Sequence, residues 1–222
     1  MFEYESSPID WCENNYTISN YICEIMNTIS GSIFIVFSIL EIYTLWQIPG
    51  RLDLSTWFIF LLHLTTGIGT VLFHGTLNLF GQYLDELSIL ILILALYYDY
   101  KRDVYLLLFG GISLMLPSYN RIFLFISSFI ILFQVEYLNI LGLNRRLRYL
   151  SNRFIIQLEI GIFFWLIDLF LCESLSVSLH WLWHIFSGLF LHNFILLLIY
   201  KKYESKLELL DYKYIILLKS KL

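Results

Sequence analysis

The stretch TWFIFLLHLTTGIGTVLFHGTLNLFGQYLDE, residues 56–86, decides the fold. Residues 56–74 hold no Asp, Glu, Lys or Arg, and a run of about 20 such residues is what a helix needs to cross a hydrocarbon core roughly 30 Å thick. After a break at residues 75–79 the apolar pattern resumes, with Asp85 and Glu86 near its start. Two membrane spans therefore meet here, and ionisable side chains stand at the join.

Working outward, the same pattern recurs along the chain, at about residues 24–46, 56–74, 80–98, 104–116, 122–141, 154–172 and 179–200. The composition agrees: 59% of residues are hydrophobic and 14% charged, where a soluble domain carries about 25% charged residues. The expected fold is all-α, a polytopic membrane protein with a seven-transmembrane helix bundle. The fourth span is short and holds Gly110 and Gly111 ahead of Pro117, so it must stand little tilted or be drawn in by its neighbours. No internal repeat is visible, and the linkers are too short for a second domain. No basic signal peptide precedes the first span, which is expected to act as the insertion signal itself. The expected organisation is a leader at 1–23, the seven-span domain at 24–200 and a basic tail at 201–222.

Basic residues set the orientation, because Lys and Arg in short loops stay on the cytoplasmic side. With seven spans, Arg51, Lys101, Arg102, Arg145, Arg146, Arg148, Arg153 and every Lys of the tail share one side, and only Arg121 lies on the other. The N-terminus is thus expected to be luminal or extracellular and the C-terminus cytoplasmic. That topology gathers His74, Asp85, Glu86, His180 and His184 near the luminal end of the bundle. Ionisable groups within spans are costly, and such a cluster is by default a candidate functional site.

Each residue has a bland reading beside the chemical one. His180 and His184, one turn apart on a helix face, suit a metal ion, and beside Trp181 and Trp183 they also suit an interfacial aromatic belt. His74 from a second helix favours the metal. Three histidines with an open fourth position form the arrangement of a catalytic zinc, which lowers the pKa of its water to about 7. His63 and His192 lie deeper and read as packed or hydrogen-bonded core residues. Asp85 suits a general base that returns its proton to a leaving group, or a carboxylate balancing a helix dipole. Thr70 shares the face of His74, and a threonine in a membrane helix most often bonds the backbone of the preceding turn. Asp168 could orient a histidine or serve as a structural hydrogen-bonding group; the second reading is favoured. The leader concentrates the oxygen ligands Asp10, Glu13, Asn15 and, at the first span, Glu24. Calcium takes six to eight such oxygens, but the spacing is not that of an EF-hand loop, and from composition alone a solvated acidic leader is the favoured account.

Taken together, DWCENNY with a following Glu, FHGTLN…QYLDEL, D…CESL and HWLWHIFSGL resemble the alkaline ceramidase family over nearly the whole chain. The resemblance implies zinc on His74, His180 and His184, and a catalytic Asp85. It implies calcium on Asp10, Trp11 through its carbonyl, Glu13, Asn15 and Glu24. It also implies a disulfide between Cys12 and Cys172, leaving Cys23 unpaired. Where the family has serine this chain has Thr70, which keeps the hydroxyl, expected to help stabilise the oxyanion, and adds a methyl. The connection between the last two spans is also shorter than the family's, which puts a gating role for it in doubt.

The implied activity is zinc-dependent hydrolysis of the ceramide amide to a sphingoid base and a fatty acid. Expected partners are lipids: a ceramide-type substrate within the bilayer and the surrounding membrane lipids, with no nucleic acid and no protein partner. Alternatives are a related seven-span hydrolase of another lipid amide or ester, and a non-catalytic lipid receptor or transporter. A receptor needs no three histidines at one depth, and a transporter usually shows paired repeats or broken helices, which are absent. The expected location is the endoplasmic reticulum or Golgi membrane. The terminal SKL reads as a peroxisomal address on a soluble protein and as coincidence here. The tail is expected along the cytoplasmic surface, its apolar side chains toward lipid and its lysines toward headgroups.

Overall fold

The computed structural model describes residues 5–46, 52–101, 145–175, 177–212 and 215–220. Five α-helices carry the fold: α1 (Ile25–Trp46), α2 (Leu54–Thr76), α3 (Leu79–Lys101), α4 (Arg145–Leu175) and α5 (His180–Lys202). All five are long and apolar enough to cross a membrane, and at about 1.5 Å per residue even the shortest spans the hydrocarbon core. The expected spans at 104–116 and 122–141 lie outside the described residues. The molecule is a mostly helical, multi-pass membrane protein.

Side-chain burial is consistent with lipid as the solvent. Val36, Ile39, Tyr43, Phe58, Leu61 and Phe170 are exposed on the helix surfaces, whereas Glu24, Asn27, Glu41, His63, His74 and Asn193 are buried. Lipid tails give apolar side chains no incentive to leave the surface, so helix association rests on close packing and interhelical hydrogen bonds. α1 packs on α2 and α5, α2 on α3, and α4 on α5.

Two boundaries differ from expectation. The helix of the sixth expected span starts at Arg145, well before residue 154, so that α4 has 31 residues. Its basic first turns are held by the segment after α5: Arg146 donates to the Leu209 carbonyl at 3.0 Å, and Arg153 pairs with Asp211 at 2.6 Å. The tail folds back as a hairpin on the bundle, its apolar side chains buried against protein, and the fold is not purely helical. Strands β1 (Leu207–Tyr212) and β2 (Ile215–Ser220) pair antiparallel and pack on α5. Alternation explains this: Leu207, Leu209, Ile216 and Leu218 are buried, while Glu208 and Lys219 point to solvent. Asn193 of α5 accepts the Ile216 N–H at 2.8 Å and anchors the second strand.

The turn between α2 and α3 positions the site. Leu77 ends α2 in the left-handed conformation (φ 45°), its N–H bonded to the Phe73 carbonyl. Asn78 then caps α3, its side-chain oxygen accepting the Gly81 N–H at 2.6 Å. The leader crosses this turn through Ser7 N–H to the Leu77 carbonyl (2.8 Å) and Cys23 N–H to the Gly75 carbonyl (3.0 Å). Glu13 accepts the N–H groups of Met26 and Asn27 at 2.6 and 2.8 Å, satisfying two of the free donors that open α1.

Candidate metal centre

His74 stands in the last turn of α2, His180 opens α5, and His184 follows one turn later. All three are buried, and one ligand nitrogen from each lies within 4.8 Å of the others. Among the described residues this is the one such cluster of potential metal ligands. Two of the three rings are held from behind. His74 Nδ1 is bonded to the Glu24 carboxylate, and His184 Nδ1 lies 2.9 Å from the Ser30 hydroxyl. An imidazole that donates Nδ1–H to a carboxylate presents its lone pair on Nε2. His74 Nε2 is buried without a hydrogen-bond partner, and so is Nδ1 of His180. Trp11 stacks on the His180 ring at 3.7 Å between centroids. Converging imidazole nitrogens, two of them buried without a partner, suit a metal ion.

Asp85 joins the cluster from α3. An added Cβ at Gly69 of α2 would sit 2.7 Å from the Asp85 backbone nitrogen, so only glycine lets the two helices approach this closely. Thr70, the next residue, donates its hydroxyl to the Asp85 carboxylate, with the Thr66 carbonyl a second acceptor at 2.9 Å. Thr70, Asp85, His180 and His184 line a cavity of about 110 Å³. The rest of its wall is chiefly apolar, including Leu90, Ile93, Ile162 and Leu191. A polar reaction centre thus opens onto a lining suited to hydrocarbon.

Comparison with known proteins decides the kinship. The Ceramidase family model matches residues 3–218. The chain belongs to the alkaline ceramidase family. Among its relatives, the alkaline ceramidase of Drosophila melanogaster is 30% identical across 91% of this chain and 80% of its own length. Human alkaline ceramidase 1 is 27% identical across 83% of this chain and 79% of its own, and the alkaline ceramidase of Caenorhabditis elegans 27% across 85% and 78%. The chain is a ceramidase hydrolase, and its cluster of three buried histidines stands near one end of the helices that carry it.

In this alkaline ceramidase fold the leader is bound tightly to the cluster. Cys12 is disulfide-bonded to Cys172 of α4, with Cα atoms 5.4 Å apart, and Cys23 is free and buried. Trp11 N–H donates to the Glu24 carboxylate at 3.2 Å, and Asn15 donates to the Asp10 carboxylate at 3.1 Å. Burial, opposed by the Asn15 bond and reinforced by the charge of Glu24, pushes the Asp10 carboxyl above its ordinary value. Asp10, Asn15 and Glu24 therefore lie together. Both oxygens of Glu13 also accept N–H groups of α1.

Asp168 acts as a structural group. It accepts the N–H groups of Leu179 and His180 at 2.6 and 3.0 Å and that of Cys12 at 3.1 Å, capping α5 from a neighbouring helix. Residues the sequence reading passed over are Ser30, Gly69 and Glu41. Glu41 sits between His63 and His192, accepting at 2.9 and 2.8 Å from their Nδ1 atoms. An acid in the middle of an apolar span is a signal that could have found it. Ser30 and Gly69 carry none, because their roles depend on which residues another helix brings.

Proposed function

We propose that this chain hydrolyses the amide bond of ceramides, releasing a sphingoid base and a fatty acid, with zinc held by His74, His180 and His184. The reading rests on three converging buried imidazoles beside an Asp85–Thr70 pair, at the polar end of an apolar cavity. The donor set is the one zinc takes in catalytic sites, with room for a fourth position. Bound there, the ion supplies Lewis acidity to the amide carbonyl and activates water near neutral pH.

The chain's own residues do the rest. Glu24 and Ser30 fix two of the imidazole rings, and Asp168 fixes the start of the helix that carries the third. Asp85 takes the proton of the attacking water and returns it to the departing sphingoid nitrogen. Thr70 holds Asp85 in place and, once Asp85 is protonated, its hydroxyl is free to donate to the developing oxyanion. A two-chain amide reaches this site without leaving the bilayer, its reacting amide at the polar end of the cavity and its chains extending into lipid.

A calcium ion on Asp10, the Trp11 carbonyl, Glu13, Asn15 and Glu24 would relieve the repulsion between neighbouring carboxylates and hold the leader against the zinc layer. A seven-span topology with a luminal N-terminus, in the endoplasmic reticulum or Golgi membrane, completes the reading. Fatty acid release from ceramide, dihydroceramide and phytoceramide by the purified protein, with and without chelator, tests it. Chelator-sensitive release from at least one of them supports the assignment, and release that persists after metal is stripped overturns the zinc role. An inert protein that retains zinc would overturn the ceramide reading.

A further inference from the structure

The alkaline ceramidase resemblance leaves one residue out of pattern, Thr70, and the structure shows where its extra methyl goes. A Cβ built on Gly31 of α1 would fall 2.6 Å from Thr70 Cγ2 and 3.4 Å from Thr70 Cβ. The space that a side chain at position 31 would occupy is thus filled by the Thr70 methyl. Thr70 itself is 1% exposed, and its hydroxyl is engaged on the opposite side with the Asp85 carboxylate and the Thr66 carbonyl.

A threonine in a helix has few χ1 choices, because two heavy atoms on Cβ must avoid the preceding turn. Fixing the methyl therefore fixes the hydroxyl. We propose that Gly31 is a positioning residue for the hydrolytic site: the side chain it lacks forms the notch that seats the Thr70 methyl and so aims the Thr70 hydroxyl at Asp85. A side chain at position 31 turns Thr70 out of this rotamer, or pushes α1 away from α2. A serine at position 70 fits the notch loosely, and its hydroxyl is free to sample other rotamers. The two positions act as a steric pair in which one methyl belongs to either side, and a methyl on both sides is one too many. This inference rests on the catalytic roles proposed above for Asp85 and Thr70.

The test is a double-mutant cycle on the purified full-length protein, read by kcat and KM on the ceramide it cleaves, by zinc content and by thermal melting. Gly31→Ala is expected to lower kcat about tenfold or more, and Thr70→Ser about threefold. The double variant Gly31→Ala/Thr70→Ser should recover to within about threefold of wild type, far from the product of the single losses. KM and zinc content should move little in all three. Melting should follow the same pattern, with the Gly31→Ala loss relieved by Thr70→Ser. Thr70→Val, which keeps the methyl and removes the hydroxyl, should lose about 100-fold in kcat and melt lower than wild type, because the buried Asp85 carboxylate loses its donor.

Additive effects, or a Gly31→Ala protein as active as wild type, would overturn the proposal. So would recovery of melting without recovery of kcat, which would make Gly31 a packing residue only. If wild type itself releases no fatty acid from any ceramide, the functional reading falls. The steric pairing is then judged by melting alone, where coupled losses keep it and additive ones end it.

Discussion

Two layers of buried histidines cross this bundle, built on the same helices, and they differ in where their nitrogens point. In the deeper layer His63 of α2 and His192 of α5 share one carboxylate, Glu41 of α1, and all three side chains are fully buried. In the outer layer His74, His180 and His184 are also buried, but the partners of two of them lie outside the triangle, at Glu24 and Ser30, and one nitrogen from each ring converges within 4.8 Å of the others. Both layers contain nitrogens without hydrogen-bond partners, Nε2 of His63 and His192 in one and Nε2 of His74 in the other. An orphaned nitrogen alone therefore does not mark a site. Convergence does: three imidazoles, two of them backed by Glu24 and Ser30, bring one nitrogen each within 4.8 Å of the others, an arrangement that suits a metal ion. Phe34 separates the layers, its ring edge-on to His63 at 6.1 Å and to His184 at 6.2 Å.

The sharpest way to break the comparison is to truncate one member of each layer. His180→Ala should lose bound metal and lower ceramide hydrolysis about 10³-fold or more, while inserting and folding, since a Lewis acid is worth several kcal/mol. Full activity in that variant would sink the metal assignment. Glu24→Gln should keep the ring geometry of His74 but weaken metal binding about 10- to 100-fold, read by competition with a chelating dye. Unchanged affinity would mean that Glu24 only packs against the ring. Glu41→Ala should do the reverse. It leaves two buried imidazoles unpaired and should cost about 1–3 kcal/mol of stability, seen as a lower thermal midpoint, with metal content and kcat per folded molecule retained. If Glu41→Ala instead strips the metal from a folded protein, the two layers work as one unit and the distinction fails.

The contrast between the layers also marks what a sequence can show. Spans are local: an uncharged run such as residues 56–74 carries its own evidence, which is why four of the five described helices fall close to where hydropathy placed them, α4 alone starting well ahead of its apolar run. His74, His180 and His184 were legible because each sits at a span end, where depth follows from counting. Glu41 was visible as an acid in mid-span, yet its bridging of two histidines depends on how α1, α2 and α5 rotate against one another. The same holds for Gly31, whose value comes from a threonine 39 positions away. The tail shows a different limit. Its period-2 alternation was present at Leu207, Leu209, Ile216 and Leu218, but lysines at intervals suggested a membrane surface, and only packing on α5 decides for a hairpin.

The smallest expected effect lies at the other end of the helices that carry both histidine layers. Asp53 caps α2 through the Thr56 N–H at 3.0 Å and pairs with Lys202 at the end of α5, a solvent-accessible tie between the same two helices. Burial alone would raise the Asp53 carboxyl. Lys202 and the hydroxyl and N–H of Thr56 outweigh it and hold the group well below the usual carboxylate range. A carboxyl depressed in the folded state adds its full share of stability above its unfolded pKa, and loses that share as pH falls through the folded value. Asp53→Asn should therefore lower stability at neutral pH by no more than about 1 kcal/mol, read as a slightly lower thermal midpoint, as for an exposed pair, and by less at high salt. The gap between variant and wild type should shrink as pH drops below the ordinary carboxylate range. A gap that widens in acid would show that the tie is not carried by the carboxylate, and that the helices are held at this end by packing alone.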